Sequence, residues 1–244
     1  MWCPKSSSGF VSDLAKDWAT PLQADESHVD ASAEYRDDID LDSYQMAARS
    51  IICIRHGEST SNAAWRVAAA DPLHFDAPLS SAGIEQVRQA RRALKNLPVE
   101  LVVTSPLTRA LQTTVGLFSG HRRSPRILVQ ALVRERLENT CDVGRPPADL
   151  AVEFPAFDLA HLDDVWWHAD GIPDSRGICI EPVASVAARA REFKSYLLTR
   201  PERCIAIVGH GTFLFHLSGR VLANCEIADL DLDTVRETGA SGDA

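Results

Sequence analysis

Short continuous runs of apolar residues alternate with helix-spaced apolar stripes along the middle of this chain. Ile51-Ile52-Cys53-Ile54 is rich in β-branched side chains and is followed at once by Gly57, the pattern of a buried strand running into a loop. Ser81 stands where it can cap a helix over about 82–96, with Ile84, Val87, Ala90, Leu94 and Leu97 on one face. Leu101-Val102-Val103 predicts a second strand. After it, Ser105 is placed to cap a helix whose first residue is Pro106, where a missing N–H costs nothing. Ile127-Leu128-Val129 predicts a third strand, and Val186, Ala190, Phe193 and Leu197 form another helical stripe. Cys204 to Val208 predicts a fourth strand, and Phe213 to Leu222 continues as a helix beyond Gly209-His210-Gly211. Strands alternating with helices predict an α/β fold: a three-layer domain with a mostly parallel central sheet flanked by helices. Arg55-His56-Gly57 and Gly209-His210-Gly211 fall just past strand carboxyl ends, where open α/β sheets hold their ligands.

Charge changes the picture only once it is divided by region. The 244 residues carry 25 Lys and Arg against 34 Asp and Glu, a formal net charge of −9. Taken whole, that balance argues against a nucleic-acid or anionic-membrane binder. Residues 1–50, however, hold 10 acids and 4 bases, and residues 226–244 hold 6 acids and 1 base. The 18 acids and 20 bases between them leave a slightly basic body. We therefore expect an acidic, partly flexible N-terminal extension over 1–49 and a domain over 50–225. An acidic C-terminal segment over 226–244 follows, with room for one edge strand before a flexible tail.

Within the extension, Phe10, Leu14 and Trp18 have the spacing of one amphipathic turn, and the stretch from Asp25 to Asp42 is mostly acidic. A solvated tail is the plainer account of that arm, and a lid over a basic pocket the sharper one. The N-terminus lacks the apolar core of a secretory signal and is too acidic for a mitochondrial presequence. No apolar stretch approaches the roughly 20 residues of a membrane span, so a cytoplasmic location is expected. Cys3, Cys53, Cys141, Cys179, Cys204 and Cys225 form no C-x-x-C pair, which predicts reduced thiols, no disulfide framework and no structural zinc.

His56, flanked by Arg55 and Gly57 beyond a buried strand, suits a nucleophile that the strand fixes and the glycine leaves approachable. Asn62 can donate to an anion from the same loop. A lone strand-end histidine would mean little, but the spacing of the whole octet Arg55-His56-Gly57-Glu58-Ser59-Thr60-Ser61-Asn62 carries more. It resembles the signature of the histidine phosphatase superfamily, the phosphoglycerate mutase-like proteins. Pro78-Leu79-Ser80-Ser81-Ala82-Gly83-Ile84-Glu85-Gln86 is similar to that family's PLTxxGxxQ segment, with Ser80 in place of the usual Thr. Ser105-Pro106-Leu107-Thr108-Arg109-Ala110-Leu111-Gln112-Thr113 resembles its second arginine motif, and Val208-Gly209-His210-Gly211 its second-histidine motif. The motifs occur in family order over about residues 51–225, and the extension lies outside the resemblance.

The resemblance implies that His56 attacks phosphorus and becomes phosphorylated. It implies that Arg55 and Arg109 bring planar guanidinium forks to the phosphoryl oxygens, and that His210 completes the anion-binding ring. It places a general acid after the third strand, where Val133-Arg134-Glu135-Arg136-Leu137-Glu138 stands; Glu135 is the choice and Glu138 the competitor. Asn62 and Ser59 are expected to contact the substrate. No metal and no cofactor are expected, and the partner is a small phosphorylated metabolite or a phosphoprotein, with no nucleic acid and no membrane. Water is the expected acceptor. The span between Arg109 and His210 looks shorter than in cofactor-dependent mutases, which favours a phosphatase over a phosphoglycerate-type mutase. The reading from another class is a catalytically silent module that binds phosphorylated ligands.

Several residues carry plainer expectations. Arg145, in Cys141-Asp142-Val143-Gly144-Arg145-Pro146, is expected to form a structural salt bridge rather than read a second anionic group. Trp166 and Trp167 are expected to serve core or rim packing beside His168. His28, His74, His121, His161 and His216 show no partner spacing and are assigned no role.

Overall fold

The computed structural model describes residues 49–231. The expected turn at Phe10, Leu14 and Trp18, the acidic arm, Cys3, His28 and the tail expected at the C-terminus lie outside the described residues. The described residues from Ser50 onward belong to one compact unit, which carries the fold below.

Strands β1 (Ser50–Arg55), β2 (Leu101–Thr104), β3 (Arg126–Val129), β4 (Cys204–Gly209) and β5 (Ile227–Asp229) form one sheet in the order β3-β2-β4-β1-β5. The first four are parallel, and β5 runs antiparallel along β1. The α-helices of the described residues are α1 (Thr60–Ala68), α2 (Ser81–Leu94), α3 (Thr108–Phe118), α4 (Pro147–Glu153), α5 (Val183–Thr199) and α6 (Gly211–Ser218). This is the predicted α/β architecture with a mostly parallel sheet.

The alternation of strand side chains sorts the core into two layers. Ile51, Cys53, Val103, Ile205 and Ile207 pack with the α5 stripe of Val186, Ala190, Phe193 and Leu197 and with Phe213 of α6. On the opposite face Ile52, Ile54, Val102, Ala206 and Val208 pack with Val87 and Leu94 of α2 and Ala110 and Leu117 of α3. Because both faces are covered, the strands read as unbroken apolar runs. Trp166 is buried in a third cluster with Leu107, Leu111 and Leu150, and Trp167 packs against it, so this pair serves packing.

Three helix boundaries differ from expectation, each for a physical reason. Helix α2 is capped by Ser80, whose Oγ accepts from the Gly83 amide at 3.0 Å, so it starts at Ser81 itself. Helix α3 begins at Thr108 rather than Pro106, because Ser105 Oγ takes the Leu107 amide in a turn and no side chain at Leu107 can cap. The cap comes from elsewhere: Asp76 accepts from both the amide and the hydroxyl of Thr108 and is held there by Arg145 Nε at 2.7 Å. Arg145 therefore carries the structural ion pair expected of it. Helix α6 ends at Ser218, not Leu222, because Gly219 turns the chain with a φ of 72°. Among the described residues no helix is long and apolar enough to cross a membrane.

Candidate active site

The parallel pairing of β1 with β4 sets Arg55 opposite Gly209, so the residues that follow, His56 and His210, emerge side by side. Their ring centroids are 5.0 Å apart and tilted by 55°. The His56 amide donates to the Gly209 carbonyl at 3.0 Å, and its own carbonyl accepts from Asn224 Nδ2 at 2.9 Å.

His56 Nδ1 lies 2.7 Å from the Gly57 carbonyl oxygen. A carbonyl only accepts, so Nδ1 carries the ring proton and Nε2 keeps its lone pair. Arg109 Nε donates to that Nε2 at 3.3 Å. Burial, and then the Arg109 charge, hold the His56 pKa well below the ordinary imidazole value. His210 is depressed in the same way, by burial, Arg109 and His56. Both ring nitrogens of His210 are buried and have no hydrogen-bond partner among the described residues, and neither does Arg55 Nε. Unpartnered buried nitrogens beside two guanidinium groups make surroundings suited to an anion.

Arg55 Nη1 donates to the Leu222 carbonyl at 2.8 Å. The Arg109 fork is held more tightly, Nη1 by the Cys141 carbonyl at 2.6 Å and Nη2 by Asp142 Oδ1 at 2.9 Å. Both of its terminal nitrogens are thus engaged by protein, and the edge turned toward His56 is Nε. Burial pushes the Cys141 thiol up to about 11.

Glu135 follows the 3-10 turn Ala131–Val133 after β3. Its Oε2 accepts from the Thr212 amide at 3.0 Å, and its Oε1 from Phe213 at 3.2 Å and Arg136 at 2.8 Å. The carboxyl therefore sits on the first turn of α6, two residues past His210. Burial first, and the charge of Asp142 second, raise its pKa above the ordinary carboxylate range, against those backbone donors. Glu181, fully buried, holds the Glu135 segment in place by accepting from Arg189 Nε and Nη2 at 2.9 and 2.8 Å and from Arg134 at 3.4 Å. Glu138 also lines the cleft, but its side chain is 51% exposed and paired with Arg136 at 3.0 Å, so it lacks the burial that tunes Glu135.

Arg55, His56, Asn62, Arg109 and Glu135 all line one cleft. His210, wholly buried beside His56, is not among the lining residues, and neither is Ser59. It caps α1, its Oγ accepting from the Asn62 amide at 3.0 Å while Asn62 Oδ1 accepts from the Ser59 amide at 3.1 Å. That reciprocal box leaves Asn62 only its NH₂ end to offer. Among the described residues no three His, Cys, Asp or Glu side chains converge as a metal site would require.

The other motif positions support the loop rather than line the cleft. Gln86 Oε1 accepts from the Glu58 amide at 2.8 Å, Ser80 Oγ donates to Glu58 Oε1 at 2.6 Å, and Thr113 Oγ1 accepts from the Gly57 amide at 3.1 Å. A Cβ on Gly83 would stand 2.0 Å from the Glu58 carbonyl oxygen, so only glycine allows that approach. Residues 51–239 match the sequence profile of the histidine phosphatase superfamily (branch 1).

The chain belongs to that superfamily. Two phosphoglycerate mutase-like proteins of Arabidopsis thaliana are each 31% identical to this histidine phosphatase family member. One matches over 186 residues, 62% of this chain and 63% of the relative, so the chain spans under two thirds of that relative's length. The other matches over 214 residues, 72% and 76%. A glucosyl-3-phosphoglycerate phosphatase of Mycobacterium tuberculosis is 28% identical over 186 residues, 72% of this chain and 77% of its own. The crystal structure of a candidate alpha-ribazole-5'-P phosphatase from Escherichia coli shares the fold, with a TM-score of 0.51 and 21% identity over 75% of this chain and 91% of that one.

Asp142, Asn224, Glu181 and Arg189 were not singled out from sequence for any role. The first stood in the Cys-Asp-x-Gly-Arg stretch without a partner to name, and the others act only through contacts across the fold.

Proposed function

We propose that the protein is a metal-independent phosphomonoesterase that works through a phosphohistidine on His56. The observation that carries this is the tautomer of His56, with Nδ1 donating to the Gly57 carbonyl, the unprotonated Nε2 facing Arg109, and the His210 ring alongside. In the first step Nε2 attacks phosphorus, the P–O ester bond breaks as the P–N bond forms, and the leaving alkoxide takes a proton from Glu135. In the second step the Glu135 carboxylate accepts a proton from water as its oxygen attacks phosphorus, and the P–N bond breaks to release phosphate. Arg55, Arg109 and His210 bind the phosphoryl oxygens in both steps, and the Asn62 amide adds a donor at the rim. Glu135 begins the cycle protonated, which its raised pKa favours.

The substrate we infer is a small phosphorylated metabolite, with phosphoglycerate-type compounds first in line given the names of the relatives. Incubation with ³²P-labelled phosphomonoesters should leave acid-labile label on the wild type and none on His56→Ala. Phosphate release should survive a chelator. No label with any donor of a broad panel, or activity abolished by the chelator, would overturn the reading. Exchange between monophosphoglycerates without phosphate release would replace it with a mutase.

A further inference from the structure

Asp142 stands outside the residues given a chemical role above, yet it is one of the most firmly held carboxylates in the cleft. Its side chain is 5% exposed. Oδ1 accepts from Arg109 Nη2 at 2.9 Å, and Oδ2 accepts from the amides of Asn139 at 3.0 Å and Glu138 at 3.3 Å. With Cys141 O on Arg109 Nη1, one short turn, Thr140–Asp142, fixes both ends of the guanidinium fork. That turn is anchored in its own right, since Asp71 accepts from both the Thr140 amide and hydroxyl and from Arg176. A buried ion pair alone adds little to stability, so the geometry around it must explain its placement. Glu135 lines the same cleft, and Arg109 acts on the charge of both carboxyls.

We propose that Asp142 is a positioning residue for phosphoryl transfer: it clamps Arg109 in the pose that faces His56, and across the cleft that both line it shares a proton with Glu135. The role as acid rests on the phosphatase reading above; the coupling between the two carboxyls does not.

The division of one proton between the pair follows from their partners. Burial raises the Asp142 pKa as it raises that of Glu135, but Asp142 has a guanidinium and two amides on its oxygens, which favour its charged form. Glu135 has three amides and no cation in direct contact, so it is the member that keeps the proton when both cannot ionise. The cations facing Glu135 are Arg55 at the end of β1, Arg109 on α3 and Arg136 beside it. His56 and His210 are held neutral, so neither adds charge. Glu138, the other carboxylate, is solvent-screened and neutralised by Arg136. Asp142 is therefore the anion that acts on Glu135.

The test is a carboxyl titration by NMR on the full chain labelled with ¹³C at Asp and Glu side chains, with Glu135→Gln and Asp142→Asn for assignment. In the wild type, the Glu135 and Asp142 curves should each show the same two steps, as coupled sites do. In Asp142→Asn, which keeps an oxygen for Arg109 but removes the charge, Glu135 should titrate in one step with its midpoint lowered by about one pH unit or more. Independent single-step curves in the wild type, or an unmoved midpoint in the variant, would overturn the proposal. Should Asp142→Asn fail to fold, the wild-type curves decide alone. The alkaline limb of kcat should move in the same direction as the Glu135 midpoint, which a merely structural role would not produce. If the carboxyls prove coupled but no phosphoenzyme forms on the wild type, the phosphatase reading fails while the coupling stands.

Discussion

Arg109 Nε lies 3.3 Å from His56 Nε2, the ring nitrogen left without a proton when Nδ1 donates to the Gly57 carbonyl. The guanidinium thus touches three things at once: the nucleophilic edge of the imidazole, the Cys141 carbonyl and Asp142. A lysine ammonium is a point charge on a flexible stem and cannot hold that three-way geometry. Arg109→Lys should therefore lower kcat for an aryl phosphate by about 100-fold or more, the scale of losing a preorganised donor. Steady-state kinetics check this, and a variant within a few-fold of wild type would refute it.

Glu135→Gln removes the proton donor and leaves the other charged groups in place. Alkyl phosphomonoesters, whose alkoxides need a proton, should lose about 100-fold to 10,000-fold in rate. A nitrophenyl phosphate, whose phenolate leaves unaided, should phosphorylate His56 at nearly the wild-type rate and then stall before hydrolysis. Rapid-quench measurement of label on protein reads both effects. Equal losses on the two substrate types would assign the acid to another residue.

The two imidazoles also link stability to pH. His56 and His210 are buried, with pKa values held well below 6.5, so the folded protein resists protonating them while the unfolded chain does not. The unfolded state binds more protons as pH falls below that value, so stability is full above it and declines below it until the folded-state rings titrate. Each ring contributes up to about 1.4 kcal/mol per pH unit in that window. Urea midpoints at neutral and at mildly acid pH should differ accordingly, and His210→Gln should shrink the difference. An unchanged slope in the variant counts against a neutral buried ring.

Gly83→Ala tests the support beneath the catalytic loop. The added methyl would stand 2.0 Å from the Glu58 carbonyl oxygen, a backbone atom that has to move. The expected cost is about 1–3 kcal/mol of stability, with a loss of kcat larger than the lost folded fraction accounts for. Thermal melts paired with kinetics on the folded protein separate the two.

The strands and the two histidine motifs were legible because they depend on short runs: β-branched clusters for β1 to β4 and a polar triplet after each of two strands. Glu135 was legible only through its resemblance to a family pattern, since nothing local distinguishes it from Glu138. What separates them is burial and the first turn of α6, which lies 77 residues away along the chain. The start of α3 was misplaced for the same reason. Ser105 is a good cap by composition, but Asp76, 32 residues distant, makes the actual one. Ser59 shows the reverse case: a residue expected at the substrate turns its hydroxyl to its own helix. Asp142 escaped because a carboxylate's role here lies entirely in which guanidinium it meets.

The strand order has a consequence for how the protein is made. β4 lies between β1 and β2, yet it is the last of the parallel strands to be synthesised. Until residue 204 has left the ribosome, β1 and β2 have no partner between them, and each presents an open edge of the kind that pairs with other chains. The same late strand delivers His210. A nascent chain stopped short of it would thus be both sticky and inert, so activity should emerge only with the full sheet.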